Sequence, residues 1–246
     1  LTACLNVVDG FGRIIRDNSG AVTGIVEEAD ATAKQRAIRE VNTGILVAPA
    51  KRLCQWLPEI GNDNQQGERY LTDVVAMAVA DGVDVVAHAV ADPDESLGVN
   101  DKVQLAAAER ALQRRQAQQL MQAGLTLRDP ARFDLRGQAV FGGDCVIDIN
   151  VVLEGLVELG ERVTIGPNCQ VRNARLGDDV VVHSNCVIDD VKVGAGAQIG
   201  PFARLRPGTE LAANVRVGNF VEIKKSQIGA DTKVNHLAYI GDSDIG

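Results

Sequence analysis

Residues 188–223 read IDDVKVGAGAQIGPFARLRPGTELAANVRVGNFVEI, and an aliphatic residue recurs there at almost every sixth position. The spacing extends in both directions and is carried by Ile147, Leu153, Leu159, Ile165, Val171, Leu176, Val182, Ile188, Val193, Ile199, Leu205, Leu211, Val217, Ile223, Ile228, Val234, Ile240 and Ile245. Hexads with inward aliphatic side chains are typical of a parallel β-helix, in which three hexads make one coil. We therefore predict a β-helix over residues 126–246.

Glycine often follows the aliphatic residue, as it does after Leu159, Val193 and Ile240. It suits corners that need positive φ or close approach of two backbones. Four steps of the repeat contain five residues instead of six, but none of these falls between Leu205 and Ile223.

The first hundred residues have a different texture. Short apolar, β-branched runs predict strands at 22–26, 43–47 and 83–90, and helices are predicted over 30–39 and 71–80. This alternation indicates an α/β domain over residues 1–100. Residues 101–124 contain no proline and no internal glycine, so we predict a long helix and a helical linker over 101–125.

Composition excludes several classes of function. The net charge of −8 disfavours nucleic acid and anionic membranes as general partners. No apolar run approaches the ~18 residues of a membrane span, and we expect a cytoplasmic protein. The five cysteines are widely spaced and odd in number, which favours buried free thiols in a reducing compartment.

Four polar residues of the repeat are candidates for chemistry. Arg206 and Lys224 lie 18 residues apart, so they should stack on successive coils, where they could hold a phosphate or be two solvated cations. His236 could accept a proton near neutral pH or be an ordinary surface histidine. Tyr239 should share one column with Arg204 and Glu222, where it could bind a sugar or cover the coil.

The order of several segments resembles one enzyme family over essentially the whole chain. These segments are F-G-R-I, G-I-V-E, V-N-T-G-I, Q-G-E-R-Y-L-T-D, G-V-N, R-D-P-A-R-F-D-L-R-G, G-P-F-A-R-L-R-P-G, V-G-N-F-V-E-I-K-K and N-H-L-A-Y-I-G-D. The family is the bifunctional N-acetylglucosamine-1-phosphate uridyltransferase/glucosamine-1-phosphate acetyltransferase. The resemblance implies part of a Rossmann-like nucleotidyltransferase domain followed by a left-handed β-helix.

The resemblance also implies two reactions. An acetyl group would pass from acetyl-CoA to glucosamine-1-phosphate, and the resulting N-acetylglucosamine-1-phosphate would react with UTP. The product, UDP-N-acetylglucosamine, serves peptidoglycan and lipopolysaccharide synthesis. A homotrimer is implied, because the acetyltransferase sites of the family form between subunits.

By the same resemblance, individual residues have expected roles. His236 would be the general base, Arg206 and Lys224 would hold the sugar phosphate, and Tyr239 would contact the substrate. The nucleotide sugar would bind to Gly12, Glu27, Asn42 and Asn100, and Asn100 would also reach Mg²⁺.

Some parts of the family pattern are missing from this sequence. The glycine-rich L-A-A-G-x-G-T-R-M loop, the upstream metal-binding Asp and the later coils that bind acetyl-CoA do not occur in it. We therefore expect a fragment that is weak or inactive in both reactions when it is alone.

Three other interpretations remain open at this stage. The chain could belong to a single-function sugar acyltransferase with an unrelated front domain, or to a non-catalytic trimeric scaffold. A β-helix carbonic anhydrase would need several zinc-binding histidines, but only His183 and His236 lie on the coil, 53 residues apart.

Overall fold

The computed structural model describes residues 1–96, 98–99 and 101–246, and the chain forms two compact units, Leu1–Ala108 and Glu109–Gly246. The boundary lies inside the longest helix, Lys102–Gln122. The three-part division at residues 100 and 125 stays a prediction. Within the described ranges, no helix combines the length and apolar character needed to cross a membrane.

The first unit contains a four-stranded sheet with short helices. Its strands and helices are β1 (Thr2–Cys4), β2 (Arg13–Arg16), β3 (Val22–Val26), α1 (Ala33–Arg36), β4 (Glu40–Asn42), α2 (Ala50–Trp56) and α3 (Asp73–Ala80), with 3₁₀ turns at Leu57–Glu59 and Pro93–Ser96. The strand order is β1-β4-β2-β3, and these three pairings are antiparallel. Trp56, Ile60, Val74 and Ala78 form a buried cluster in this unit.

Two strands predicted for the first unit are wrong. Segments 43–47 and 83–90 form no strand; Val47 is 99% exposed and Val86 is 86% exposed. An extended segment becomes a strand only when another backbone pairs with it, and here only Ala89 makes one isolated bridge, to Thr2.

The predicted helices exist but are shorter than expected. Within 30–39 only α1 is helical, because Thr32 and Gln35 form a capping box that starts the helix late. Within 71–80 the helix α3 begins at Asp73, after Thr72. The long helix α4 (Lys102–Gln122) lies within the predicted range.

The second unit is a three-sided parallel β-helix, and we call its sides walls A, B and C. Wall A consists of β5 (Thr126–Leu127), β7 (Val146–Ile147), β9 (Thr164–Ile165), β12 (Val181–Val182), β15 (Gln198–Ile199), β18 (Arg216–Val217) and β21 (Lys233–Val234). Walls B and C begin with the two halves of β6 (Phe133–Phe141) and β8 (Val151–Leu159). Wall B continues with β10 (Gln170–Arg172), β13 (Val187–Asp189), β16 (Arg204–Leu205), β19 (Glu222–Lys224) and β22 (Tyr239–Gly241). Wall C continues with β11 (Arg175–Leu176), β14 (Val191–Val193), β17 (Thr209–Leu211), β20 (Gln227–Ile228) and β23 (Asp244–Ile245).

The hexad interpretation is confirmed by burial. Every aliphatic position of the repeat from Ile147 to Val234 is buried, and Ile240 and Ile245 at the last coil are partly buried. These side chains form one continuous core inside the prism. At roughly 25 cal/mol per Å² of apolar surface removed from water, this core is the main source of the unit's stability.

The five-residue steps all fall at the corner between walls B and C. Asn173, Asp190, Lys225 and Asp242 occupy this corner, and each has a positive φ of 43–52°. One left-handed residue turns the chain tightly enough to omit a residue, so the strands on both sides stay in register.

Glycines after the aliphatic residues serve mainly close packing between coils. A Cβ atom on Gly218 would lie 1.3 Å from the carbonyl oxygen of Asn235. Gly160 and Gly194 are similarly blocked by the next coil, and neither has a positive φ.

The cysteines are free, but only three of the five are buried as predicted. Cys145, Cys169 and Cys186 lie inside the coil, whereas Cys4 and Cys54 in the first unit are exposed. Burial raises the pKa of the Cys145 thiol.

Candidate functional sites

Gly12, Glu27 and Asn42 meet at one edge of the first sheet. Arg13 at the start of β2 is paired with Val26 of β3 and with Val41 of β4. Because both neighbouring strands run antiparallel to β2, the residue before Arg13 must lie beside the residues that follow Val26 and Val41. The register therefore brings together three residues that are distant in sequence.

The contacts around Gly12 are close. Its carbonyl oxygen accepts a hydrogen bond of 2.8 Å from the backbone N–H of Asn42. A Cβ atom on Gly12 would lie 2.9 Å from Cγ2 of Ile25 and 3.2 Å from both carboxylate oxygens of Glu27. A larger residue here would crowd the Ile25 and Glu27 side chains, and the carboxylate of Glu27 faces the bare backbone of Gly12.

Thr72 holds the carboxylate of Glu27. Its hydroxyl donates a hydrogen bond of 2.8 Å to Oε1 of Glu27. Thr72 occupies the N-cap position of α3, but its side chain makes no capping bond to the helix. The one feature of the sequence that marks Thr72 is its place in the Q-G-E-R-Y-L-T-D segment, just before a helix.

Glu28 and Arg13 fix the loop that carries Gly12. The carboxylate of Glu28 accepts hydrogen bonds from the backbone N–H of Gly10 and from the guanidinium of Arg13, the latter at 3.2 Å. Arg13 is only 1% exposed and also donates to the carbonyl oxygen of Phe11. The Gly10 N–H, and then Arg13, lower the pKa of Glu28.

Asn100, the fourth residue predicted for this edge and the predicted ligand of Mg²⁺, lies outside the described residues. Across the ranges that the structure describes, no group of three or more His, Cys, Asp or Glu side chains could hold a metal ion. Magnesium binding by this chain stays a prediction.

Arg206 and Lys224 stack on wall B, as the repeat predicts. Leu205 is paired with Ile223, and the backbone N–H of Arg206 donates to the carbonyl oxygen of Ile223 at 2.8 Å. Arg206 therefore lies beside Lys224 on successive coils. Their side chains are 37% and 30% exposed, so both can reach a ligand from the surface.

Carboxylates neutralise these two cations. Nη1 of Arg206 donates to Oε1 of Glu222 at 2.9 Å, and Nζ of Lys224 lies 3.7 Å from Oδ2 of Asp242. Sequence analysis did not identify these partners. An anion that binds here would have to share the cations with Glu222 and Asp242.

Tyr239 and His236 lie on the following coil. Tyr239 is paired with Glu222, which is paired with Arg204, so the predicted column is confirmed. Tyr239 is 62% exposed. His236 is exposed in the turn between β21 and β22, where its imidazole is accessible to a ligand.

Comparison with known proteins gives close relatives. The chain is 60% identical to Bifunctional protein GlmU of Alkalilimnicola ehrlichii over 237 residues, which is 96% of this chain and 51% of that protein. It is 56% identical to Bifunctional protein GlmU of Methylococcus capsulatus, over all of this chain and 54% of that protein. The chain is similar to GlmU proteins over nearly its whole length. It spans about half the length of these GlmU relatives.

Two further comparisons concern the β-helix. A family model described as the GMPPB C-terminal domain matches residues 135–235 of the chain. The chain was also compared with the solved acetyltransferase domain of PglB from Neisseria gonorrhoeae in complex with acetyl coenzyme A. The matched region covers 53% of this chain and 61% of the PglB chain. The two chains superpose with a TM-score of 0.24 at 15% sequence identity.

Proposed function

We propose that this chain supplies residues to two transferase sites of a GlmU-type enzyme that makes UDP-N-acetylglucosamine. The observation that carries the proposal is 52–60% identity to GlmU proteins over 96–100% of the chain. The parent protein would be a nucleotidyltransferase and an acetyltransferase. Cytoplasmic location is part of this proposal.

The edge at Gly12 is the proposed nucleotide-sugar site. The Glu27 carboxylate and the Asn42 amide can hydrogen-bond sugar hydroxyls, and glycine at position 12 leaves room for the Glu27 carboxylate beside the backbone. Asn100 would complete the site. UTP and N-acetylglucosamine-1-phosphate are the proposed substrates.

The column on wall B is the proposed acetyltransferase site. Arg206 and Lys224 would hold the phosphate of glucosamine-1-phosphate, with the Arg fork giving direction and the Lys a point charge. The imidazole of His236 would take a proton from the amine as it attacks the thioester carbon of acetyl-CoA, and the C–S bond would break to release coenzyme A. Tyr239 would contact the sugar.

Two further parts of the proposal concern assembly and the isolated chain. We propose that the parent is a homotrimer whose acetyltransferase sites form between copies. The chain alone would be weak or inactive in both reactions.

The test uses the full-length parent with separate assays for acetyl transfer and pyrophosphate release. His236→Ala should abolish acetyl transfer and leave uridyl transfer unchanged, and Glu27→Gln should do the reverse. Unchanged acetyl transfer in His236→Ala would remove His236 from the mechanism. If the parent releases no pyrophosphate, a single-function acyltransferase is the better interpretation, and if it has neither activity, a scaffold.

A further inference from the structure

The β-helix contains three pairs of cations stacked on neighbouring strands. Arg206 and Lys224 form the first pair, on wall B. Arg175 and Lys192 form the second, on wall C, where they are register partners. Arg216 and Lys233 form the third, on wall A, also as register partners.

Two of these pairs are neutralised by carboxylates. The wall B pair contacts Glu222 and Asp242. In the wall C pair, Arg175 lies 3.8 Å from Glu158 and Lys192 lies 2.8 Å from Glu210. The chain thus usually places an acid next to a stacked pair of cations.

The wall A pair is different. Arg216 and Lys233 are exposed, and within the described part of the chain neither makes an ion pair. Strand neighbours are ~4.8 Å apart, and like charges directly opposite each other on a sheet are destabilising. A bound anion would remove this repulsion, because it would attract both cations at once.

A groove of polar side chains and bare backbone surrounds this pair. Gln198 is the next register partner of Arg216 on wall A, and Asn235 follows Lys233 at the edge of the same groove. Gly200 and Gly218 also line the groove. A Cβ atom on Gly200 would clash with Sγ of Cys186, and one on Gly218 would clash with the carbonyl oxygen of Asn235. The Gln198 side chain therefore lies beside the two cations, Asn235 is a further lining residue, and no acidic residue lines the groove.

We propose that Arg216 and Lys233 bind a small phosphate-bearing anion on wall A. The Arg fork can take two phosphate oxygens, the Lys ammonium can take a third, and the amides can donate additional hydrogen bonds. The net charge of −8 disfavours a nucleic-acid polyanion. This site lies on a different wall from Arg206 and Lys224, and the proposal does not rest on the proposed function.

The test measures binding of inorganic phosphate to the chain by calorimetry at low salt. Arg206 and Lys224 are first replaced by Gln, so that the wall B pair cannot contribute and failure of the proposed function cannot affect the result. In this background, R216Q/K233Q should weaken phosphate binding at least about tenfold, the effect of removing ~1.4 kcal/mol of attraction. The matched control R175Q/K192Q should leave it unchanged.

A second variant keeps the test decisive if the double variant folds poorly. In the same R206Q/K224Q background, Lys233→Glu should pair with Arg216, raise the melting temperature and abolish phosphate binding. Phosphate should raise the melting temperature of the R206Q/K224Q protein but not that of its Lys233→Glu variant. Equal binding by R216Q/K233Q, or an equal loss in the control, would overturn the proposal. Comparing phosphate with a nucleotide 3′-phosphate separates a free ion from a phosphate ester as the preferred ligand.

Discussion

Single residues determine how much room the edge beside Gly12 leaves for a ligand. The Glu27 carboxylate and the Ile25 side chain face the space where a Cβ atom on Gly12 would lie, and the Asn42 backbone N–H holds the Gly12 carbonyl oxygen. Thr72 fixes one carboxylate oxygen, which leaves the other oxygen to a partner. The edge is therefore sensitive to changes of one methyl group.

Gly12→Ala tests this sensitivity. The new methyl group would lie 2.9 Å from Ile25 and would crowd the Glu27 carboxylate. We expect uridyl transfer by the full-length parent to fall about tenfold or more, which corresponds to ~1.4 kcal/mol. Gly61→Ala is the control, because a Cβ atom there meets nothing within 4 Å. Equal rates for the two variants would contradict the expectation.

Glu28 gives the first unit a dependence on acid. Its pKa in the folded chain is lowered by the Gly10 N–H and Arg13. The stabilisation is therefore complete above the unfolded pKa of about 4.3 and is lost as pH falls through the lower folded value. Glu28→Gln should reduce stability at pH 7 and flatten its decline in acid, measured by urea unfolding with Trp56 fluorescence. Parallel pH profiles for the two proteins would contradict this.

Some features of these residues could not be predicted from the sequence. The hexad spacing predicted that Arg206 and Lys224 would stack, because backbone register follows from counting residues. It did not predict Glu222 and Asp242 as their partners, because surface rotamers decide which acid a long side chain reaches. The meeting of Gly12, Glu27 and Asn42 depends on hairpin register, which residue spacing alone did not reveal.

At the scale of elements, the hexad repeat predicts the β-helix strands well, whereas the apolar runs of the first unit predict its strands less well. Each hexad directs its own aliphatic side chain inward, so sequence and burial agree from Ile147 to Val234. Segments 43–47 and 83–90 have apolar compositions typical of strands, but a strand also needs a partner. A local pattern cannot predict whether that partner is present.

Two leucines of the β-helix form a matched test of this repeat. Leu205 is fully buried in the coil, and Leu156 on β8 is 48% exposed. Leu205→Ala should lower the free energy of unfolding by about 3 kcal/mol, because it leaves a cavity between rigid coils. Leu156→Ala should change it by less than about 0.5 kcal/mol. Urea titrations followed by far-UV circular dichroism measure both, and similar losses would argue against the inward orientation.

At the scale of the whole molecule, the two units have cores of very different size. The first unit has a described cluster of four buried residues around Trp56, whereas the core of the second extends from Ala117 to Val234. The chain contains one tryptophan, and its indole N–H donates to Asp81 at 2.9 Å within the first unit. Its fluorescence therefore reports on that unit alone.

We expect two transitions when the whole chain unfolds in urea. Trp56 fluorescence should change at a lower midpoint than far-UV circular dichroism, because the smaller core removes less apolar surface from water. Trp56→Phe, which lacks the indole signal, should retain the later dichroism transition. Coincident midpoints would instead show that the two units unfold as one cooperative body.

The inner cysteines have a consequence for how the β-helix can be observed. Cys145, Cys169 and Cys186 are sealed within the prism, whereas Cys4 and Cys54 are open to solvent. An alkylating reagent should modify the two exposed thiols rapidly. It should modify the three buried thiols only when a coil opens by local unfolding. The rate of the slow labelling phase would then report how often the solenoid opens, without any added probe.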